Sequence, residues 1–137
     1  MYDILITGAN GFVGKSLTDY LLKETECNIV SMQRSNPIMP KVHPKRVKII
    51  YQDLRTSVSH DNISEIGDIK YIVHLAGANG FENKDTSRYI EDNVSGTLNL
   101  LEYSKNLTNL EKVLYLSTAE VFGPPKPGFI FNEEDEK

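Results

Sequence analysis

Three glycines, Gly8, Gly11 and Gly14, stand within the stretch ILITGANGFVGKS, residues 4–16. A glycine turn between a strand and a helix binds phosphate, because bare backbone amides approach the anion where no Cβ intervenes. Two such chemistries compete here. A nucleoside-triphosphate loop needs Gly, four residues, then Gly-Lys-Ser/Thr. Gly14-Lys15-Ser16 supplies the end of that pattern, but its first glycine falls at Ala9, and Gly8 stands one place early. A Mg²⁺ partner is also poorly provided for. The strands end in Gln52-Asp53, His74 and Ser117, and only the first of these supplies a carboxylate. A dinucleotide loop fits better. Gly8 permits the tight turn, Gly11 lets backbone reach the pyrophosphate, and Gly14 lets the helix pack close to the strand. The free amides of Gly11, Phe12 and Val13, with the helix dipole, then hold the anion, and Asn10 belongs to the same loop. Lys15 is left as a solvated helix residue.

The same logic addresses the choice of coenzyme. A carboxylate about twenty residues past the glycines bonds the ribose 2′-hydroxyl of NAD. Nineteen residues after Gly14 stands Gln33, followed by Arg34 and Ser35. A carboxylate repels a 2′-phosphate, whereas Arg34 can grip one with two parallel hydrogen bonds. The reading leans to NADP over NAD. The alternative is that Arg34 is merely solvated in the loop that follows.

These residues need a frame. Residues 2–7 form a short apolar run, read as a buried strand. From Phe12 to Lys23 the period turns helical, with Phe12, Val13, Leu17, Leu21 and Leu22 on one face. Further strands are expected at 28–33, 46–51, 69–75 and 111–117, with a weak helical piece around 58–66. A loop holding Pro37, Pro40 and Pro44 is expected to be mobile and non-helical inside. A long helix is expected over 85–106, its apolar face made of Tyr89, Ile90, Val94, Leu98, Leu101 and Leu107. Strands alternating with helices imply an α/β fold, a doubly wound parallel sheet of the Rossmann type with strand order 3-2-1-4-5. Ligands then sit at the carboxyl ends of the first and fourth strands, where the winding reverses. The dinucleotide-binding domain is expected to span 1–122. Residues 123–137, with Pro124, Pro125, Pro127 and an acidic run, read as an irregular tail.

Composition narrows the partners. The 137 residues suffice for one domain. A net charge of −4 gives no basic face for nucleic acid. No apolar run reaches the ~20 residues of a membrane span, and no secretory signal is visible. The single Cys27 excludes an internal disulfide and a cysteine-based zinc site, and it reads as a small residue at a strand start. His74 reads as a strand-end residue satisfied by backbone rather than a metal ligand. No metal is expected, and a cytoplasmic location fits.

Five stretches in order carry a resemblance: TGANGFVG (7–14), DLR (53–55), HLAG (74–77), NVSGTLNLLE (93–102) and STAEVFG (117–123). They resemble the extended short-chain dehydrogenases/reductases, the NAD-dependent epimerase/dehydratase family, along the whole chain. The resemblance implies that Asp53 accepts a hydrogen bond from the adenine amino group, with Leu54 beside the ring. A carboxylate that caps the next turn is the competing role for Asp53. Leu75, Ala76 and Gly77 are implied along the coenzyme ribose, and Asn93 as a tie between the long helix and the fourth strand. Thr118 matches the family's Ser/Thr position, whose hydroxyl bonds the reacting substrate oxygen. In similar sugar-nucleotide dehydratases an Asp-Glu pair follows that threonine, whereas here the pair is Ala119-Glu120. That argues against elimination by such a pair and leaves Glu120 as a possible acid or base, or a surface residue. Epimerisation, reduction and oxidation remain open.

The family's hydride chemistry also needs a tyrosine with a lysine four residues on, the lysine lowering the phenol's pKa. Four residues beyond the seven tyrosines stand Ile6, Glu24, Arg55, Leu75, Asn93, Leu107 and Ala119, so none is lysine. The expectation is therefore the N-terminal, coenzyme-binding part of an enzyme acting on a nucleotide sugar, inactive alone and self-associating through uncovered apolar surface. A non-catalytic NAD(P)-binding or sensor protein of the same fold is the alternative, and a triphosphate-dependent kinase is disfavoured.

Overall fold

Five short strands, each running into a loop at the same edge, set the frame. The computed structural model describes residues 2–35, 38–58, 66–67, 69–78, 85–123, 128, 132 and 134. Most of the helical piece expected around 58–66, Pro37, and most of the proline-rich acidic tail lie outside the described residues. The elements run β1 (Ile4–Thr7), α1 (Phe12–Glu24), β2 (Ile29–Gln33), β3 (Val47–Tyr51), β4 (Tyr71–His74), α2 (Thr86–Tyr89), a π-helical segment Ile90–Ser95, α3 (Gly96–Ser104) and β5 (Lys112–Tyr115). The strands form one parallel sheet in the order β3-β2-β1-β4-β5. The expected doubly wound sheet is what the chain adopts.

Alternate side chains of the central strands feed two cores. Leu5, Val30, Met32, Ile50 and Ile72 pack with Leu100 and Tyr103 of α3 on one face. Ile6 and Ile29 pack with Ala9 and Leu22 on the other, and Cys27 lies partly buried against them. Period-two alternation within buried strands delivers both faces at once. The guanidinium of Arg46 donates to the carbonyls of Leu22 and Thr25 and closes the C-terminal end of α1.

Three expectations are corrected. First, the buried face of α1 is Gly14, Thr18 and Leu22, while Phe12 and Val13 face solvent. The helix approaches the sheet along its small residues, which leaves no room for the bulky ones at its start. Second, the proline-rich loop ends in a 3-10 turn at Pro44–Arg46, preceded by His43 in the left-handed region at φ 45°. Proline suits the first position of a helical turn, where its missing N–H costs nothing. Third, the long helix is broken by the π segment, in which the Gly96 amide donates to the Glu91 carbonyl. The side buried against the sheet is Gly96, Leu100 and Tyr103. Of the expected apolar face, Ile90, Val94, Leu98 and Leu101 are exposed, Tyr89 is half-buried and Leu107 packs against the core.

Candidate functional site

The carboxyl ends of β1 and β4 part where the strand order reverses, and a cleft of roughly 380 Å³ opens there. Gly8 turns the chain out of β1 with φ 68°, which a side chain rarely adopts. A Cβ at Gly8 would lie 2.7 Å from the Ala76 nitrogen, so the two walls of the cleft touch there. A Cβ at Gly14 would lie 2.6 Å from Ala9 Cα and closer still to the Gly8 carbonyl. Both positions therefore demand glycine for want of space.

At the start of α1 the Gly11 amide donates to the Gly8 carbonyl at 2.9 Å. This corrects the expected set of free amides, which begins at Phe12 rather than at Gly11. Phe12 and Val13 occupy the first turn, whose amides have no intrahelical acceptor. No acidic side chain stands in that turn and no side chain caps it. A helix start without its own anion suits an external one. Phe12, Val13, Gly14, Lys15 and Ser16 all lie outside the cleft lining, so of the glycine loop only Gly8, Asn10 and Gly11 line it. The Ser16 hydroxyl donates to the Phe12 carbonyl at 3.3 Å, within its own helix.

The structure gathers Gly8, Asn10, Gly11, Gln33 and Arg34 along one side of the cleft. Asp53, Leu54, Leu75, Ala76 and Gly77 complete the other sides. Asn10 donates to the Ser35 carbonyl at 3.3 Å and so joins the glycine turn to the end of β2. The Gln33 side chain is buried and turned inward. It donates to Ser31 Oγ at 2.7 Å and accepts from the Ile38 amide at 3.1 Å. Arg34 is the charged residue that the end of β2 offers to the cleft. Leu54 is held from behind, where Asn99 of α3 donates to its carbonyl at 2.7 Å.

Charge is concentrated on the same rim. Arg34 pairs with Asp92 at 3.1 Å, and Arg55 and Arg88 approach the same carboxylate at 3.8 and 4.0 Å. Arg55 also grips Asp53 through Nε and its terminal nitrogen, at 3.0 and 2.5 Å. Hydrogen bonding from Arg55 holds the Asp53 carboxyl below the usual carboxylate range, against a smaller opposing effect of burial. Asp53 Oδ1 also accepts from the Arg55 amide at 3.0 Å, which closes a local turn. A carboxylate has acceptor sites to spare, so this turn and a ligand contact are compatible.

Asn93 lies behind the cleft wall. Its oxygen accepts from the Ala78 amide at 2.7 Å and its nitrogen donates to the Ala78 carbonyl at 3.0 Å. His74 is buried and bonded to two side-chain hydroxyls, Thr7 at 2.6 Å and Thr97 at 3.0 Å, rather than to backbone. Burial pushes its pKa below the ordinary histidine value. Thr118 and Glu120 are exposed beyond β5 and do not line the cleft. The Thr118 hydroxyl oxygen accepts from the Glu120 amide at 3.3 Å and caps a 3-10 turn, Ala119–Phe122.

Sequence reasoning missed Thr7, Arg55, Arg88 and Asp92 as cleft residues. The i,i+4 spacing of Arg88 and Asp92 signalled an ion pair on a helix. Nothing local signalled that the pair faces Arg34, far away in sequence.

Residues 4–137 match the family described as NAD dependent epimerase/dehydratase. The chain is 32% identical to a dTDP-D-glucose 4,6-dehydratase of Dictyostelium discoideum over 96% of its own length and 32% of the relative's. It is 27% identical to a UDP-glucose 4-epimerase of the same organism, over 89% of the chain and 38% of the relative. Among solved structures, the UDP-glucuronic acid 4-epimerase from Bacillus cereus in complex with UDP-glucuronic acid and NAD superposes with a TM-score of 0.74. The identity there is 26%, over 96% of this chain and 44% of that one. The chain thus spans less than half of the length of each of these relatives. With the family match running from β1 through the last described residues, the chain belongs to the NAD dependent epimerase/dehydratase family.

Proposed function

We propose that this chain binds a nicotinamide dinucleotide in the cleft at the β1/β4 divergence and forms the coenzyme-binding part of an enzyme acting on a nucleotide sugar. The observation that carries the reading is the glycine turn. Gly8 and Gly14 have no room for a Cβ, and the α1 amides they expose lack both a cap and an acidic neighbour. The relatives named as epimerases and a dehydratase, and the related structure that holds NAD and UDP-glucuronic acid, support the class. A bound dinucleotide supplies hydride transfer, and the residues of this chain bind and orient it. Phe12 and Val13 amides face the pyrophosphate. Asp53 and Leu54 take the adenine end, and Leu75, Ala76 and Gly77 follow the ribose. Thr118 is assigned the substrate oxygen, with Glu120 beside it. The exposed helix stripe is assigned to association with a second copy.

We assign the coenzyme as NADP in preference to NAD. The end of β2 offers Arg34 and no carboxylate, and the Gln33 side chain is spent on Ser31 and Ile38. Calorimetric titration of the chain with NADPH, NADH and ATP with magnesium tests both readings. Dinucleotide binding without ATP binding is expected, and the reverse order overturns the assignment. Arg34→Ala is expected to weaken NADPH binding about tenfold, the scale of a lost charge-assisted contact, and to leave NADH within about twofold. An equal change for both coenzymes removes the 2′-phosphate contact.

A further inference from the structure

Under the cleft runs a chain of hydrogen bonds centred on His74. The amides of Leu75 and Ala76 both donate to Thr7 Oγ1, each at 3.2 Å, and the Leu75 amide shares its proton with the Thr7 carbonyl at 3.3 Å. A hydroxyl oxygen has two lone pairs, so its own proton must go to a third neighbour. That neighbour is His74 Nδ1, 2.6 Å away. At the other end Thr97 Oγ1 lies 2.6 Å from the Asn93 carbonyl oxygen, which can only accept. Thr97 therefore donates to Asn93 and accepts from His74 Nε2, 3.0 Å away. Nε2 therefore carries a proton, and a lone pair on Nδ1 that receives the Thr7 hydroxyl completes the chain with a neutral ring.

We infer that His74 is a positioning residue for the dinucleotide, holding the Leu75 and Ala76 amides through Thr7 only while its ring is the neutral Nε2–H tautomer. This rests on the dinucleotide reading of the cleft. The imidazole ties three elements into one wall: β1 through Thr7, β4 through itself, and α3 with the π segment through Thr97 and Asn93. The wall has no slack, because the Gly8 turn already touches Ala76. A proton added at Nδ1 turns an acceptor into a donor against an oxygen whose lone pairs are both in use. The three N–H groups then compete for the hydroxyl oxygen: the Leu75 amide swings onto the Thr7 carbonyl it already shares, or the Ala76 amide gives way. Moving Leu75 or Ala76 moves a residue that lines the cleft.

The surroundings favour the neutral ring. The side chain is 2% exposed. From β5 it meets the ring of Tyr115, with centroids 5.6 Å apart, and from β1 and α3 it meets only hydroxyls. Burial is the cause of its lowered pKa, with no contribution from a charged group.

Two measurements test the inference. Long-range ¹⁵N–¹H NMR of the free protein at neutral pH reads the tautomer directly. A protonated Nε2 is expected, and a protonated Nδ1 overturns the chain of directions before any coenzyme is added. NADPH and NADH are then titrated from about pH 8 to about pH 5, the range of histidine protonation. Wild-type affinity is expected to fall about tenfold on the acid side, the scale of one lost buried hydrogen bond. His74→Asn, whose amide oxygen replaces Nδ1 and does not protonate, is expected to lose that acid-side fall. Thr97→Val is expected to weaken binding about fivefold at neutral pH, and Thr97→Ser to restore it. An unchanged acid-side fall in His74→Asn, or wild-type affinity in Thr97→Val, overturns the inference. Should His74→Asn fail to fold by circular dichroism, the Thr97 pair decides. A wild-type chain that binds neither coenzyme at any pH defeats the functional reading instead, and the tautomer still reports on the hydrogen-bond chain.

Discussion

A hydroxyl sealed inside protein without a partner loses its hydration for no return. Thr18, on the buried face of α1, is in that position: its Oγ1 has no hydrogen-bond partner among the described residues. Valine has the same branched shape without the oxygen. Thr18→Val is therefore expected to raise stability by about 1 kcal/mol in urea denaturation. Gly14 shows the opposite sensitivity. Gly14→Ala forces a methyl against Ala9 and the Gly8 carbonyl, and is expected to cost about 1–3 kcal/mol, read as a lower urea midpoint. The need for glycine at 8 and 14 was legible from spacing alone, because strand, turn and helix are contiguous there. The Thr7–His74–Thr97 chain was not. Its members stand 67 and 23 residues apart, and only the sheet brings them together.

Helical period tells which residues share a face, but not which face the sheet takes. In the 85–106 helix the stripe of Ile90, Val94, Leu98 and Leu101 faces away from the sheet, as uncovered apolar surface on this helix requires. Gly96 lies on the buried side, where an added Cβ would be in ordinary contact with Leu54 at 3.4 Å. Leu100 and Tyr103 follow on the same side and complete the core. In α1, Leu17, Leu21 and Leu22 of the expected face do pack on the core, but Gly14 and Thr18 rather than Phe12 and Val13 are buried with them. Gly14 sets the close approach there, where an added Cβ would clash with the Gly8 carbonyl. The strands were legible with little error. Their apolar runs were read one to two residues too long at some ends, because an apolar side chain can lie beyond the last paired backbone group. Leu98, 57% exposed, is free of the fold's own core. Leu98→Glu is expected to leave the melting free energy within about 0.5 kcal/mol. A large loss would place it in the core after all.

At the scale of the molecule, apolar side chains are exposed on several elements: Val94, Leu98 and Leu101 on the helix, Leu114 and Leu116 around the edge strand β5, and Phe12 and Tyr20 on α1. The helix stripe is the patch whose apolar residues share one face, and exposed apolar faces favour association. Light scattering is expected to show the wild-type chain associating at high concentration and Leu98→Glu doing so less. A sharp monomer for both removes the patch as an interface. Among the described residues no helix is long and apolar enough to cross a membrane. Stability should also depend on acidity in a defined order. His74, with a pKa below its ordinary 6.5, binds fewer protons folded than unfolded, so stability falls as pH drops below about 6.5. Asp53, lowered from 3.8, adds a second loss below about pH 4, kept small by solvent screening of its exposed partner. Urea midpoints across pH check this, and a midpoint rising on acidification would contradict it. The arrangement of the whole sheet was legible because alternating strands and helices leave few right-handed ways to wind.

The π segment carries one more consequence. A regular helix repeats its hydrogen bonds every four residues, and Ile90–Ser95 holds one residue more than that repeat needs. Such a surplus is a place where length can change cheaply. Removing one residue there relaxes the coil to ordinary winding and leaves the segments before and after it facing as they did. What is forfeited is local: the outward-tilted Asn93 that clasps Ala78, and with it the carbonyl that receives Thr97. The extra residue thus serves the cleft rather than the sheet, since it lies in the segment whose Asn93 holds Ala78, a residue of the lining.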